Sequence, residues 1–109
     1  MRRWLVICLL LAACGMKQPE AEREKKTVAS WDASLALTAR YWTRGEVPKH
    51  FARHAAEAAT EELSKNAKSQ AAARTIALAH DLEDAIERDD RAAGSRIAVE
   101  LDAQSKALQ

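Results

Sequence analysis

Glycine and proline are scarce in this 109-residue chain, which contains 3 glycines and 2 prolines. Three glycines cannot build the elaborate loops on which many active sites depend. Neither a Gly-rich phosphate-binding loop nor a Gly-x-Ser-x-Gly nucleophile motif is present, and a His-Glu-x-x-His zinc motif is missing as well. The sequence therefore predicts a protein without enzymatic activity.

Signals for β-strands are also missing. No stretch alternates apolar and polar residues with period two, and no Asn-Gly or Asp-Gly dipeptide marks a hairpin. From residue 28 onward, apolar residues instead recur every three or four positions, which is the spacing of an amphipathic helix. The fold class is predicted to be all-α.

The one long apolar run lies at the start of the chain. Arg2 and Arg3 precede an apolar segment from Trp4 to Ala13, and a polar segment follows at residues 17–20. A bilayer span needs roughly 20 apolar residues, so this run is too short for a transmembrane helix. A basic segment followed by a short apolar one is typical of a secretory signal peptide.

The end of this run, Leu11-Ala12-Ala13-Cys14, resembles the lipobox of bacterial lipoproteins. The resemblance covers the first 14 residues. It implies cleavage between Ala13 and Cys14, diacylglycerol on the Cys14 thiol and acylation of its new amino group. Each buried methylene of an acyl chain contributes about 0.8 kcal/mol, so two or three chains hold a protein on a membrane. Residues 1–13 are thus expected to be a lipoprotein signal peptide, and the rest of the chain to be anchored to the membrane without crossing it.

The resemblance also implies a location in the cell envelope. In Gram-negative lipoproteins, Asp directly after the lipidated cysteine signals retention at the inner membrane, and Gly15 stands there in this chain. The expected location, if the organism is Gram-negative, is the periplasmic face of the outer membrane. Apart from the acyl groups on Cys14 no cofactor is expected, because loss of Cys8 leaves no thiol for a disulfide, an iron–sulfur cluster or covalent haem.

The cleaved chain is short and nearly neutral. It keeps 96 residues, enough for one domain. Cleavage removes two of the 17 basic residues and none of the 16 acidic ones, which leaves a net charge of −1. Such a chain has neither the basic surface that binds nucleic acid nor a polybasic patch for anionic lipids. No nucleic-acid partner is expected.

Residues 14–27 are predicted to be the lipidated cysteine and a charged tether, because the segment holds almost no large apolar side chains. The alternative is that Pro19 stands at the first position of a helix, with Glu22 and Lys26 paired one turn apart. In both interpretations the segment is a spacer between the lipid and the domain that follows.

Residues 28–109 are predicted to form a small antiparallel, up-down four-helix bundle, with helices at about 28–44, 48–65, 70–88 and 91–108. Gly45 suits the left-handed position that ends the first helix. Asp90 suits the N-cap of the fourth helix. An alternative is that the third and fourth helices form one rod, bent near Gly94.

The predicted core contains few large side chains, because many of its apolar positions are alanine. The second helix is expected to turn inward Phe51, Ala55, Ala58, Ala59 and Leu63. The large core candidates are Val28, Trp31, Leu35, Trp42, Phe51, Leu63, Ile76, Leu82, Ile86, Ile97, Leu101 and Leu108. So few large groups imply modest stability, which dimerisation or a bound partner would increase.

One group of side chains has the chemistry of metal ligands. His50, His54 and Glu57 follow i, i+4, i+7 spacing, which places them on one side of the second helix. Imidazoles and carboxylates at this spacing bind Zn²⁺ and other divalent ions. The same side lies about 80–120° from Phe51, where solvent-exposed residues belong. A metal site and a solvated polar face are therefore the two interpretations.

The aromatic residues after the signal peptide cluster in the sequence, at Trp31, Tyr41, Trp42 and Phe51. Trp31 and Trp42 lie about 20° apart on one helix face, which predicts that both are buried at one end of the bundle. Tyr41 points elsewhere and is expected to be exposed. The alternative is that Trp31, Tyr41 and Trp42 line a ligand cleft.

These patterns together predict a membrane-anchored envelope lipoprotein without catalytic activity. It is expected to act as a structural element or through contact with a protein, either another envelope component or a second copy of itself. The alternative function is a periplasmic helical bundle that binds a metal ion or a small ligand.

Overall fold

The computed structural model describes residues 19–109, which form four α-helices and no β-strand within that range. The helices are α1 (Glu20–Thr43), α2 (Lys49–Asn66), α3 (Gln70–Glu87) and α4 (Arg91–Ala107). They form a four-helix bundle in which α1 packs most extensively on α4, and α2 on α3. The predicted all-α bundle is confirmed. None of the four described helices has an apolar stretch long enough to cross a membrane.

Contacts along the bundle show that neighbouring helices run in opposite directions. Near the end of α4, Ser105 Oγ donates a hydrogen bond to the carbonyl of Ala29, near the start of α1 (2.9 Å). At the start of α4, Gly94 lies against Trp42 at the end of α1. The turns between successive helices are three to five residues long, and turns of this length connect adjacent antiparallel helices.

The first helix begins at Glu20, eight residues before the predicted boundary, which agrees with the alternative of a helix that starts near Pro19. Pro19 is the N-cap residue. Glu24 explains the longer helix, because its Oε1 accepts hydrogen bonds from the backbone N–H groups of Ser69 (2.8 Å) and Lys68 (2.9 Å). These bonds lower the pKa of Glu24 and fix the start of α1 to the turn between α2 and α3.

The first and third helices end with the same backbone motif. After α1, the N–H of Glu46 donates to the Tyr41 carbonyl (2.8 Å) and that of Gly45 to the Trp42 carbonyl (2.9 Å), with Gly45 at φ 74°. This is the Schellman arrangement, in which a left-handed residue satisfies the last carbonyls of a helix. The end of α3 repeats it with Asp89, at φ 55°, in place of glycine.

Side chains cap the N-termini of the third and fourth helices. Ser69 accepts from the N–H of Ala72 at the start of α3, and Asp90 accepts from the N–H of Ala93 at the start of α4, both at 3.1 Å. The predicted role of Asp90 is confirmed. The alternative of one long rod is wrong, because the chain leaves the helix at residues 88–90 and then starts a new one.

Alanine supplies more than half of the buried apolar residues, including Ala52, Ala56 and Ala59 of α2. These small side chains let α2 approach α3 closely. Phe51 lies outside this stripe and is 54% exposed, so its predicted burial is wrong. The alanines at positions 55 and 58 are also small and apolar, so a helix that turned Phe51 inward would fit the sequence pattern equally well. The pattern alone therefore does not fix which side of α2 faces inward. Of the remaining large core candidates, those only half-buried are Trp31, Ile76 and Leu108.

Helices α1 and α4 come into direct contact where Gly94 faces Trp42. A Cβ atom on Gly94 would lie 2.7 Å from Trp42 Cζ3 and 3.0 Å from Thr43 Cγ2, so the site has room for glycine alone. Arg91 adds to this contact, because its Nη1 donates to the Thr43 carbonyl (3.1 Å) and its guanidinium lies 5.9 Å from the centre of the Trp42 ring. The predicted burial of Trp42 is confirmed.

We expect Gly94→Ala to lower the free energy of unfolding by about 1–3 kcal/mol, because the new methyl group must displace the Trp42 ring. At an exposed helical position, the same change raises stability by roughly 1 kcal/mol through helix propensity. Urea denaturation followed by circular dichroism measures the effect, with Ser95→Ala at the exposed neighbouring position as the control. Unchanged or increased stability of Gly94→Ala would contradict the close contact.

We expect Asp89→Gly to raise the free energy of unfolding by up to about 1 kcal/mol, since the left-handed conformation costs L-residues roughly 1–2 kcal/mol and glycine nothing. The matched change Gly45→Asp should lower it by a similar amount. The ion pair of Asp89 Oδ1 with Arg91 Nε (3.7 Å) is exposed and contributes little. If the same denaturation assay finds Asp89→Gly less stable than the parent chain, that ion pair or the aspartate side chain outweighs the backbone strain.

Candidate functional site

The residues predicted to carry function fall into three groups. Ala13 and Cys14, the cleavage and lipidation residues, lie outside the residues that the structure describes. The proposed metal ligands lie on α2, and the proposed ligand-binding aromatics lie on α1.

His50, His54 and Glu57 share an outer side of α2. The imidazole rings of His50 and His54 stack with centroids 6.0 Å apart, and His54 Nδ1 lies 4.0 Å from Glu57 Oε2. The side chains of His54 and Glu57 are 77% and 55% exposed. Between residues 19 and 109, no group of three or more His, Cys, Asp or Glu side chains is placed to hold a metal ion.

Trp31, Tyr41 and Trp42 do not share one cleft. Trp42 is buried against Gly94, Tyr41 is exposed as predicted, and Trp31 is half-buried. The two tryptophans are eleven positions apart, which separates them by about 16 Å along α1. Trp31 lines a shallow groove between the start of α1 and the end of α2, with a volume of about 180 Å³. Small-molecule sites usually enclose roughly 300–1,000 Å³, so this groove is small for a ligand.

Asp32 of α1 has a fully buried carboxyl group, which sequence reasoning did not single out. Its Oδ1 accepts a hydrogen bond from Thr75 Oγ1 of α3 (2.5 Å), and its Oδ2 accepts one from Gln104 Nε2 of α4 (2.9 Å). Three helices therefore meet at one polar network. The signal in the sequence was a charged residue one turn from both Val28 and Leu35, which belong to the apolar stripe of α1.

The network is satisfied whether Asp32 is ionised or protonated. The Thr75 hydroxyl has one hydrogen and two acceptors, Asp32 Oδ1 and the Ala71 carbonyl (3.1 Å). A proton on Asp32 can be donated to Thr75 Oγ1, which frees the hydroxyl hydrogen for Ala71. Gln104 Nε2 donates to the same carbonyl at 3.1 Å. Among residues 19–109, every buried side-chain nitrogen and oxygen has a partner.

Burial raises the pKa of Asp32, because the lost hydration outweighs the hydrogen bonds from Thr75 and Gln104 and the charge of Arg74. Buried carboxyl groups with raised pKa values are frequent in active sites. Asp32, however, is 0% exposed, so a substrate has no access to it. We interpret the network as structural, holding α1, α3 and α4 in one register.

The exposed side of α1 carries no charge from Thr27 to Thr43. We name it the α1 face and define it by its exposed residues Thr27, Ser30, Ala33, Ser34, Leu37 and Tyr41. Of the two charged residues in this stretch, Asp32 is buried, and Arg40, whose side chain is 40% exposed, pairs with Asp102 of α4 at 3.4 Å.

Large apolar side chains are exposed on the α1 face and on the helices beside it. Leu37 is 50% exposed and Tyr41 37%, while Phe51 of α2 is 54% exposed and Val99 of α4 64%. Both α2 and α4 pack directly on α1. Leu37 and Tyr41 lie one turn apart on one side of α1, and exposed apolar residues that lie together mark interaction surfaces, whereas scattered ones do not. The α1 face is therefore the candidate functional surface.

The pKa of Asp32 is higher in the folded than in the unfolded chain, so its contribution to stability is greatest below about pH 4 and declines as pH rises through the folded-state pKa. Asparagine does not titrate, so we compare the free energy of unfolding of the parent chain with that of Asp32→Asn. We expect the difference, parent minus variant, to fall as pH rises above about 4. Urea denaturation at several pH values measures it.

The subtraction removes the contributions of Glu24, Glu87 and Asp102, whose lowered pKa values give stability that is lost as pH falls. A difference that stays constant or grows with pH would contradict the buried, proton-retaining state of Asp32.

The chain matches no protein-family model, no curated protein and no solved structure.

Proposed function

We propose that this protein is a lipoprotein of the bacterial envelope that acts, without catalysis, by binding another protein through its helical bundle. Acyl groups on Cys14 hold it to the membrane. The observation that carries the proposal of protein binding is the α1 face, which combines exposed Leu37 and Tyr41 with an absence of charge. The centres of protein interfaces are depleted in charged residues, and the defined residues of this surface share that property.

The position of the α1 face supports the proposal. Only Gly15 to Pro19 separate Cys14 from the first residue of α1, and five residues span at most about 18 Å. Hydrogen bonds from Lys68 and Ser69 to Glu24 hold the start of α1 on the turn between α2 and α3. The anchor therefore keeps the start of α1 near the lipid surface, where the bundle is within reach of other envelope proteins.

The position of the titratable groups within residues 19–109 supports a non-catalytic role. The carboxyl group of Asp32 is fully buried, and the exposed acids and histidines of α2 face solvent outside any enclosed cleft. The location follows from the residue after Cys14. With Gly15 in place of aspartate, the expected site in a Gram-negative cell is the periplasmic face of the outer membrane.

The anchor is tested by the intact mass and membrane fractionation of the expressed protein and of Cys14→Ala. The parent chain is expected in the membrane fraction, beginning at Cys14 and carrying acyl groups, whereas Cys14→Ala should lose both the added mass and membrane association. Cys8→Ala is the matched control, since residue 8 is removed with the signal peptide. An unmodified parent chain in the soluble fraction would contradict the anchor.

A further inference from the structure

We propose that the bundle is hinged, so that α1 and α4 move as one pair away from α2 and α3 while all four helices stay folded. The bundle opens at the end where α1 begins, which we name the entry end and which is formed by residues 19–32, the turn at 67–69 and the last turn of α4. The opposite end, which we name the hinge end, contains the turns at 44–48 and 88–90. This motion is a property of the bundle and does not depend on the anchor at Cys14.

The division into two pairs follows the packing of the helices. Helix α1 packs most extensively on α4, and α2 on α3, whereas α2 and α4 make no contact with each other in the described chain. Ion pairs reinforce each pair from within. Arg40 of α1 binds Asp102 of α4, and Arg53 of α2 binds Glu87 of α3. Separating these two pairs therefore disrupts less packing than any other division of the bundle into two pairs of helices.

Both backbone connections between the pairs lie at the hinge end, because α1 is joined to α2 there and α3 to α4. Each of the two turns contains one residue in the left-handed conformation, Gly45 at φ 74° and Asp89 at φ 55°. Hinges are a few residues between elements that absorb the change in backbone angles. The turn between α2 and α3 stays within one pair, so no backbone connection holds the pairs together at the entry end.

A polar layer separates the entry end from the main core. It consists of hydrogen-bonded side chains of α1, α3 and α4, namely Asp32, Thr75 and Gln104. On α1 the layer lies one turn from Val28 at the entry end and one turn from Leu35 in the main core. The apolar cluster beyond the layer has three buried residues in the described chain, Val28, Leu63 and Ala72. A cluster this small gives the entry end low local stability, and on opening the polar groups exchange their partners for water.

Hydrogen bonds between the two pairs hold the entry end closed. Glu24 Oε1 of α1 accepts from the backbone N–H groups of Lys68 and Ser69, in the turn of the other pair. Deeper inside, Asp32 Oδ1 accepts from the Thr75 hydroxyl of α3. Glu24 lies nearer to the start of α1, so its two bonds are the first to separate. Further opening then uncovers the buried carboxyl group of Asp32.

The test is labelling of buried cysteines in the full chain with a maleimide, the labelled position being located by peptide mass spectrometry. Ala72→Cys places a thiol between the pairs at the entry end, and Ala85→Cys is a matched buried position of α3 nearer the hinge end. Ser105→Cys places a thiol inside the α1–α4 pair, because Ser105 Oγ contacts the Ala29 carbonyl. We expect Ala72→Cys to be labelled at least about tenfold faster than the other two. Thr75→Cys is a second variant between the pairs and should behave like Ala72→Cys if the latter does not fold.

The role of Glu24 is tested in the Ala72→Cys background. Glu24→Ala removes both hydrogen bonds to the turn and should speed labelling at position 72 at least about threefold. Glu22→Ala, at an exposed glutamate in the first turn of the same helix, is the matched control and should leave the rate unchanged. Neither change should speed the labelling of Ala85→Cys.

Equal labelling at positions 72, 85 and 105 would overturn the hinge, because it would show global unfolding. Fast labelling at 105 together with 72 would overturn it as well, because α1 would then separate from α4 instead of moving with it. A rate at position 72 that is indifferent to Glu24→Ala would overturn the role of Glu24 in closing the bundle. Labelling of Cys14 in the parent chain would contradict the anchor alone, so the two failures are distinguishable.

Discussion

The packing of α1 against α4 is the contact on which the rest of the bundle depends. Gly94 lets the Trp42 ring lie directly on the backbone of α4, and Ser105 reaches the backbone of α1 at the opposite end. A core built largely of alanine has little apolar area for each residue. Close approach of the helices compensates, because dispersion attraction falls steeply with distance. Held along its length in this way, α1 is a rigid support for an exposed face.

The polar network around Asp32 fixes the register of the helices, which a core of alanine side chains does poorly. Alanine stripes pack almost equally well after a shift of one turn, so they fix the register of helices poorly. Asp32, Thr75 and Gln104 find their partners in a single register of α1, α3 and α4. A buried carboxyl group costs stability relative to an apolar residue of similar size, and specificity of register is the best-attested gain in return. The bundle thus gives up some stability for a defined arrangement.

The features that the sequence predicted correctly are those encoded locally, such as the cap at Asp90 and the turn at Gly45. The anchor at Cys14 is inferred from a local motif in the same way. The inward side of α2 depends on how closely α3 can approach, and no pattern within α2 contains that information. The Asp32 network joins residues 72 positions apart, so it becomes visible only when the helices are packed. The α1 face also becomes visible only in the packed structure. From the sequence alone, an uncharged side of a helix could equally be part of the core.

Because the number of described helices is even, the start of α1 and the end of α4 lie at the same end of the bundle. The chain returns to the end of the bundle where it began, and Leu108 packs against the cluster formed by Val28, Leu63 and Ala72. A reporter domain fused after Gln109 would therefore stand beside the start of α1. The opposite end is formed by the turns that follow α1 and α3. An epitope inserted between Gly45 and Pro48 would report from there, so two labels on one chain could distinguish the two ends of the molecule.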